Sequence, residues 1–147
     1  MSATTAIAIY AAAVATGALV WQVGAWLWSR RTRLHVRVQL GFLGLAHGGT
    51  VDIVFVTAIN RSDHPINVSS AGLEAQDGSG GLLIQPYPNV GSTIPGVVPP
   101  RDSGVRNMEL RELKRMGFDP YRAVVGRVTT STGETFRSPP TILLKPD

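Results

Sequence analysis

The side chains able to do chemistry in this 147-residue chain are few and scattered. Its three histidines are His35, His47 and His64. No two of them stand at the i, i+2 or i, i+4 spacing that would set two metal ligands on one face of a strand or helix. Asp63 lies next to His64, but adjacent residues on a turn point their side chains apart. The run Asn60-Arg-Ser-Asp-His-Pro65 therefore reads as an Asx-type turn carrying a surface histidine. Ser79, between Gly78 and Gly80, and Ser103, between Asp102 and Gly104, lack the strand–turn–helix setting of a nucleophile elbow. Gly78, Gly80 and Gly81 have no Walker lysine and no following helix to cradle a phosphate, so they read as turn glycines. Glu109 and Glu112 share one short exposed segment, where unburied carboxylates make a poor acid–base couple. The absence of cysteine removes thiolate nucleophiles, disulfides and Cys-ligated zinc or iron–sulfur centres. The expectation is a protein that is not an enzyme, with no catalytic, cofactor or metal residues.

Binding is the remaining possibility, and one segment invites it. Gln85 to Arg101 holds Pro86, Pro88, Pro95, Pro99 and Pro100, five of the ten prolines. A connection of this length is either a crossover between sheets, the favoured reading, or a partner-binding loop. In the second case Tyr87, held between Pro86 and Pro88 and followed by Asn89, is a rigid aromatic contact whose ordering costs little entropy. Two glycosylation sequons, Asn60-Arg-Ser62 and Asn67-Val-Ser69, would matter only on the outside of a cell.

The elements that must carry these residues differ sharply along the chain. Residues 1–29 hold no charged side chain, and Gln22 is the only strongly polar residue of the run from Thr4 to Trp28. About 20 apolar residues cross a hydrocarbon core of roughly 30 Å, so residues 1–33 form a transmembrane anchor spanning about 5–28. Tyr10 and Trp28 would lie about 27 Å apart along a helix, near the two interfaces where aromatic belts form. Trp26 and Trp28 reach one headgroup level, and Arg30, Arg31 and Arg33 follow at once. Basic residues after the apolar run, and bulky Trp-Leu-Trp at its end, are the reverse of a cleavable secretory signal. By the positive-inside rule the amino terminus is outside and the carboxy-terminal domain cytoplasmic, in a single pass of the cell membrane. Ala13, Gly17 and Gly24 lie near one stripe of the helix, where small residues let two helices approach, a weak route to homo-oligomers.

The net charge of +4 follows the same division. Residues 1–37 hold four arginines and no acid, and the remainder holds ten bases and ten acids. The basic character is thus an arginine collar suited to an anionic inner leaflet, at about 1 kcal/mol per basic residue near the surface. It is not a nucleic-acid footprint.

From Leu34 the pattern alternates, with Leu34, Val36, Val38, Leu40 and Phe42 on one face of a half-buried strand. Val51 to Ile59 reads as a central strand, apolar on both faces. Ile66 to Ala75 reads as a third, with a bulge near Ser69-Ser70. Short strands follow at Leu82–Ile84, Ser103–Met108, Tyr121–Thr129, Glu134–Arg137 and Thr141–Leu144, separated by turns, which argues for an antiparallel sandwich. Glu109 to Met116 is the exception. Its acids come first, its bases last and Gly117 stops it, so it predicts a short helix with Leu110 and Leu113 over the end of the sandwich. Arg111, Lys114 and Arg115 form its solvated face.

The run Val54-Phe-Val-Thr-Ala-Ile-Asn60-Arg-Ser-Asp-His-Pro65-Ile-Asn-Val68 resembles the second and third strands of bacterial immunoglobulin-like sandwiches. Tyr121 to Phe136 looks like their last hairpin. The chain is similar in plan to small uncharacterised single-pass bacterial membrane proteins carrying such a domain. That resemblance implies an N-terminal transmembrane helix followed by an immunoglobulin-like β-sandwich of about 7 strands over residues 34–147, and supplies no catalytic residue. The function expected is a membrane-anchored interaction module binding a protein partner at the cytoplasmic face. The alternative is an outside-facing module for adhesion or sensing.

Overall fold

The computed structural model describes residues 2–29, 31–44, 48–78, 80–84 and 91–144. The chain falls into two compact units, Met1–Arg31 and Thr32–Asp147. The first is one helix, α1 (Ala3–Ser29). Ser2 caps it, its hydroxyl 3.4 Å from the Thr5 amide and 2.8 Å from the Thr5 hydroxyl. The stretch Ala3–Trp28, 26 residues, is long and apolar enough to cross a membrane. Thr16 donates its hydroxyl to the Ala12 carbonyl at 2.8 Å, so its polar group is satisfied within the helix itself.

The second unit is an antiparallel sandwich with one short helix. Its strands are β1 (Leu34–Gly44), β2 (Thr50–Asn60), β3 (Ile66–Ala75), β4 (Gly81–Leu83), β5 (Gly96–Val98), β6 (Ser103–Glu109), β7 (Ala123–Thr130), β8 (Thr135–Arg137) and β9 (Thr141–Ile142), with α2 (Leu110–Arg115) after β6. One sheet is three-stranded, in the order β1-β2-β6. The other is six-stranded: β3 and β7 pair at its centre, β4 and β5 share the outer edge of β3, and β8 and β9 share that of β7. The expectation of about 7 strands is corrected upward, because two of these edges are each built from two short strands. The segment expected to be a connector also needs correction. Part of it is β5, whose Gly96, Val97 and Val98 pair with Val68, Asn67 and Ile66. Its prolines flank this strand, leaving its ladder amides intact.

The alternation of β1 determines which side is buried. Leu34, Val36 and Val38 are buried while His35, Arg37 and Gln39 are exposed. Val36 and Val38 meet Val54, Val56, Leu73, Val124 and Val128 in one cluster between the sheets. Each fully buried side chain of this size contributes roughly 1.5–3 kcal/mol. On the opposite face of the first sheet, Gly41 gives way to an aromatic ring: a Cβ there would sit 2.8 Å from Cε2 of Phe55. The register of β3 against β7 slips between Val68 and Ser70, as the bulge reading expects. The Ser69 hydroxyl fills the gap by donating to the Thr129 and Thr130 carbonyls at 3.0 and 3.2 Å.

The sheets approach closely at Gly126 on β7. A Cβ there would lie 2.5 Å from Cγ2 of Val38 and 3.3 Å from Cγ1 of Val36. The Gly126 amide donates to the Ser138 hydroxyl and its carbonyl accepts from the Ser138 amide, both at 2.8 Å. Contact on one side and hydrogen bonds on the other leave no room for relaxation. Gly126→Ala is therefore expected to lower unfolding stability by about 1–3 kcal/mol through overpacking. Pulse proteolysis of the detergent-solubilised chain in urea measures it.

Candidate functional site

Three places in the structure gather polar or aromatic groups. The first is the carboxy-terminal end of α1. Trp26 and Trp28 are half exposed or more, at 52% and 60%. The Arg31 guanidinium lies over the Trp28 ring, 5.0 Å from its centroid, in a cation–π contact. The Arg31 amide donates to the Trp28 carbonyl at 3.3 Å. Arg30 lies outside the described residues. Arg33 is bound into the sandwich by its backbone, its amide donating to the Ser62 hydroxyl at 2.7 Å and its carbonyl accepting from the Arg61 amide at 2.8 Å.

The second is the corner where β2 turns into β3, and its centre is Asn60. This side chain is fully buried. Its Nδ2 donates to the carbonyls of His64, Val98 and Pro99 at 2.8, 3.1 and 3.0 Å. Its Oδ1 accepts from the Ser62 amide at 2.8 Å, and its own amide donates to the Asp102 carbonyl at 2.8 Å. One amide group thus ties the end of β2, the start of β3, the end of β5 and the approach to β6. Ser62, held by Asn60, in turn holds Arg33 at the start of β1. Nearby, Asp63 is engaged by Arg101 at 3.0 Å, a solvent-exposed pair of small energetic weight. The sequence marked Asn60 as a turn former and sequon acceptor. With both ends of its amide consumed inside the fold, it has no room for a glycan; of the two sequon asparagines, Asn67 is the exposed one.

Tyr87, Pro86, Pro88 and Asn89, the expected partner-binding loop, lie outside the described residues. What the structure shows is how the segment's flanks are held. Ile84 and Ile94 are both buried. The Arg106 guanidinium bridges them, Nε donating to the Ile84 carbonyl at 2.7 Å and Nη1 to the Ile94 carbonyl at 3.0 Å. Partial burial of that guanidinium lowers its pKa from the ordinary arginine value, by desolvation of the charge.

The third place is a cleft of about 950 Å³ at the opposite end of the sandwich from Leu34, and it was not foreseen. Gln76 and Asp77 of the β3–β4 turn form one wall, and Met116, Phe118, Asp119 and Arg122 the other. The second wall is shaped by the end of α2. Gly117, at φ +84°, donates to the Lys114 carbonyl, and the Phe118 amide donates to that of Leu113, the paired bonds of a Schellman cap. Leu110 and Leu113 are buried, as their spacing requires, and Arg111, Lys114 and Arg115 are exposed. Asp119 is paired with Arg122 at 3.6 Å. Among the described residues no group of three or more histidine and acidic side chains is placed to hold a metal. Ala13, Gly17 and Gly24 are exposed on α1.

No family model and no curated protein matches the chain. A similar solved structure is the X-ray structure of a Northeast Structural Genomics Consortium target, 15% identical, with a TM-score of 0.36, covering 80% of this chain and 88% of that one. A likeness at that level has no bearing on function.

Truncating the Asn60 amide would take a donor from three carbonyls, of which that of Pro99 keeps the Asp102 amide at 3.3 Å, and would leave the Ser62 amide without an acceptor. With unpaired buried groups costing about 1–3 kcal/mol each before relaxation, Asn60→Ala is expected to destabilise the domain by about 3 kcal/mol or more. Asn60→Asp is expected to be worse, since it aims a carboxylate at carbonyl oxygens. Urea midpoints of the two variants against wild type check both statements.

Proposed function

We propose that the protein is a membrane-anchored, non-enzymatic interaction module whose immunoglobulin-like sandwich is held at the cytoplasmic face and binds a protein partner. The observation that carries this reading is the direct junction of two unlike units. Ala3–Trp28 carries no charged side chain and is apolar enough to cross a membrane, and Leu34, the first sandwich residue, follows Trp28 by six positions with arginines between them. An aromatic–arginine cluster at that junction suits a headgroup region, Trp28 on the apolar side and Arg31 capping its ring toward anionic phosphates. The uneven distribution of arginine favours a cytoplasmic sandwich.

The strand order supports the immunoglobulin-like assignment. With β1, β2 and β6 as strands A, B and E, the facing strands β4, β3, β7 and β8 take the positions C′, C, F and G of such domains. β5 falls where D would be expected but pairs with β3. Binding is favoured over catalysis by how the buried polar groups are used. Asn60, Ser62, Thr130 and Ser138 all bond within the fold, and among the described residues no buried side-chain polar atom lacks a partner. Such groups hold the scaffold and leave loops and strand edges as the surfaces for recognition.

Topology is the first test. A fluorescent protein and alkaline phosphatase, each fused after Asp147, are expected to give a bright fluorescent fusion and an inactive phosphatase. The reverse pattern would make the sandwich the outside-facing adhesion or sensing module instead.

A further inference from the structure

A sheet edge presents unpaired backbone donors and acceptors, and a stable domain ordinarily covers or shortens it. This domain does so nearly everywhere. The edge of β3 is covered by β4 and β5, and that of β7 by β8 and β9. These covering strands have only two or three residues each. The free edge of β6, seven residues long, is met at Val105 by the preceding segment: the Thr93 amide donates to the Val105 carbonyl at 2.9 Å and the Val105 amide to the Thr93 hydroxyl at 2.8 Å. β1 is different. It runs for eleven residues, contains no proline, and pairs on one side with β2. Among the described residues no backbone hydrogen bond covers its other side.

We infer that this edge is a docking surface for a second copy of the same chain, joined β1 to β1 in antiparallel register to make a continuous sheet across a two-fold axis. The inference rests on the membrane-anchored interaction module proposed above. Anchoring confines copies to one surface and raises their effective concentration. β1 is also chemically suited to its own image. With Gln39 opposite Gln39, Arg37 faces Gly41, His35 faces Leu43, and Val36 faces Phe42. The strand's basic groups, Arg37 and His35, thus meet no like charge directly across, where repulsion is greatest. Phe42 is the strand's one exposed large apolar side chain. It lies on the core-facing side of β1 yet is 72% exposed, beyond the cover of its own second sheet. In this register it stands directly across from Val36 of the other copy, a residue already buried in that copy's core. A two-fold interface of this kind is self-complementary and closes at two chains.

The chain's lack of cysteine makes the test direct. Gln39 is exposed at the expected symmetry centre, and Thr57 lies one strand in, on β2. In native membranes, full-length Gln39→Cys treated with a short bis-maleimide is expected to give an adduct of twice the chain mass, and Thr57→Cys none. A charge exchange at the same position adds a readout specific to self-pairing. Gln39→Lys and Gln39→Glu each place like charges face to face. Each is expected to lower the dimer fraction, by fluorescence energy transfer between tagged chains, by roughly fivefold. Co-expression of the two is expected to restore it. Energy transfer unchanged in both single variants, or no recovery in the mixture, overturns the inference. An adduct of Gln39→Cys with a different protein also overturns it, but leaves the interaction-module reading standing. No adduct of any kind, with a sandwich shown to face outside by the phosphatase fusion, removes both.

Discussion

The buried carboxamide of Asn60 is the constraint on which the rest of the sandwich depends. Two sheets can pack only if the chain crosses between them without leaving backbone carbonyls stranded in the interior. Here the crossing from β2 to β3, the end of β5 and the run toward β6 meet at one point. A single side chain serves all of them, its two N–H groups shared over three carbonyls and its oxygen accepting from the Ser62 amide. No apolar residue of similar size could do so, and a carboxylate would present only acceptors. The same node fixes where the chain enters the domain, because Ser62, held by Asn60, receives the Arg33 amide. The first strand therefore starts in a set place and direction, which gives the alternation along Leu34, Val36 and Val38 its buried side.

At the other extreme of order is the outer edge of β1, paired along one side and open along the other. The domain interrupts its other edges with short strands, with Thr93 at Val105, and with the Ser138 hydroxyl and amide that complete Gly126. Those devices cost several prolines and turns within a small domain. A strand of eleven residues is left without one, and the self-pairing proposed above is the use we assign to it. The four arginines of residues 1–37 are the whole of the net excess, and residues 38–147 balance at ten bases and ten acids.

Much of this architecture was legible in local pattern. The period-two runs of β1 and β2, the slip at Ser69-Ser70, and the polarity and glycine stop of α2 are each set by neighbours in the chain. The illegible parts are those set by residues far apart. β5 is three residues among prolines, and only its ladder with Ile66–Val68 makes it a strand. Asn60 sits in a run that any reader assigns to a turn, while two of its carbonyl partners, on Val98 and Pro99, come from a different part of the sequence. Gly126 looks like a weak point in a valine-rich strand until Val38 is placed above it. The cleft beside α2 is lined by two segments some forty positions apart, and no spacing rule joins them.

The most direct test of the account is native-state hydrogen exchange at the corner itself. The amides of Arg33, Asn60, Arg61 and Ser62 donate in turn to the Ser62 hydroxyl, the Asp102 carbonyl, the Arg33 carbonyl and the Asn60 side chain. If Asn60 is the tie that holds the sandwich together, these four amides exchange only when the whole domain opens, with the same free energy as Val54 and Val56 in the centre of β2. Exchange at the fast rate of an exposed turn, while the strands stay protected, would show that the corner is an ornament of the fold and contradict the account.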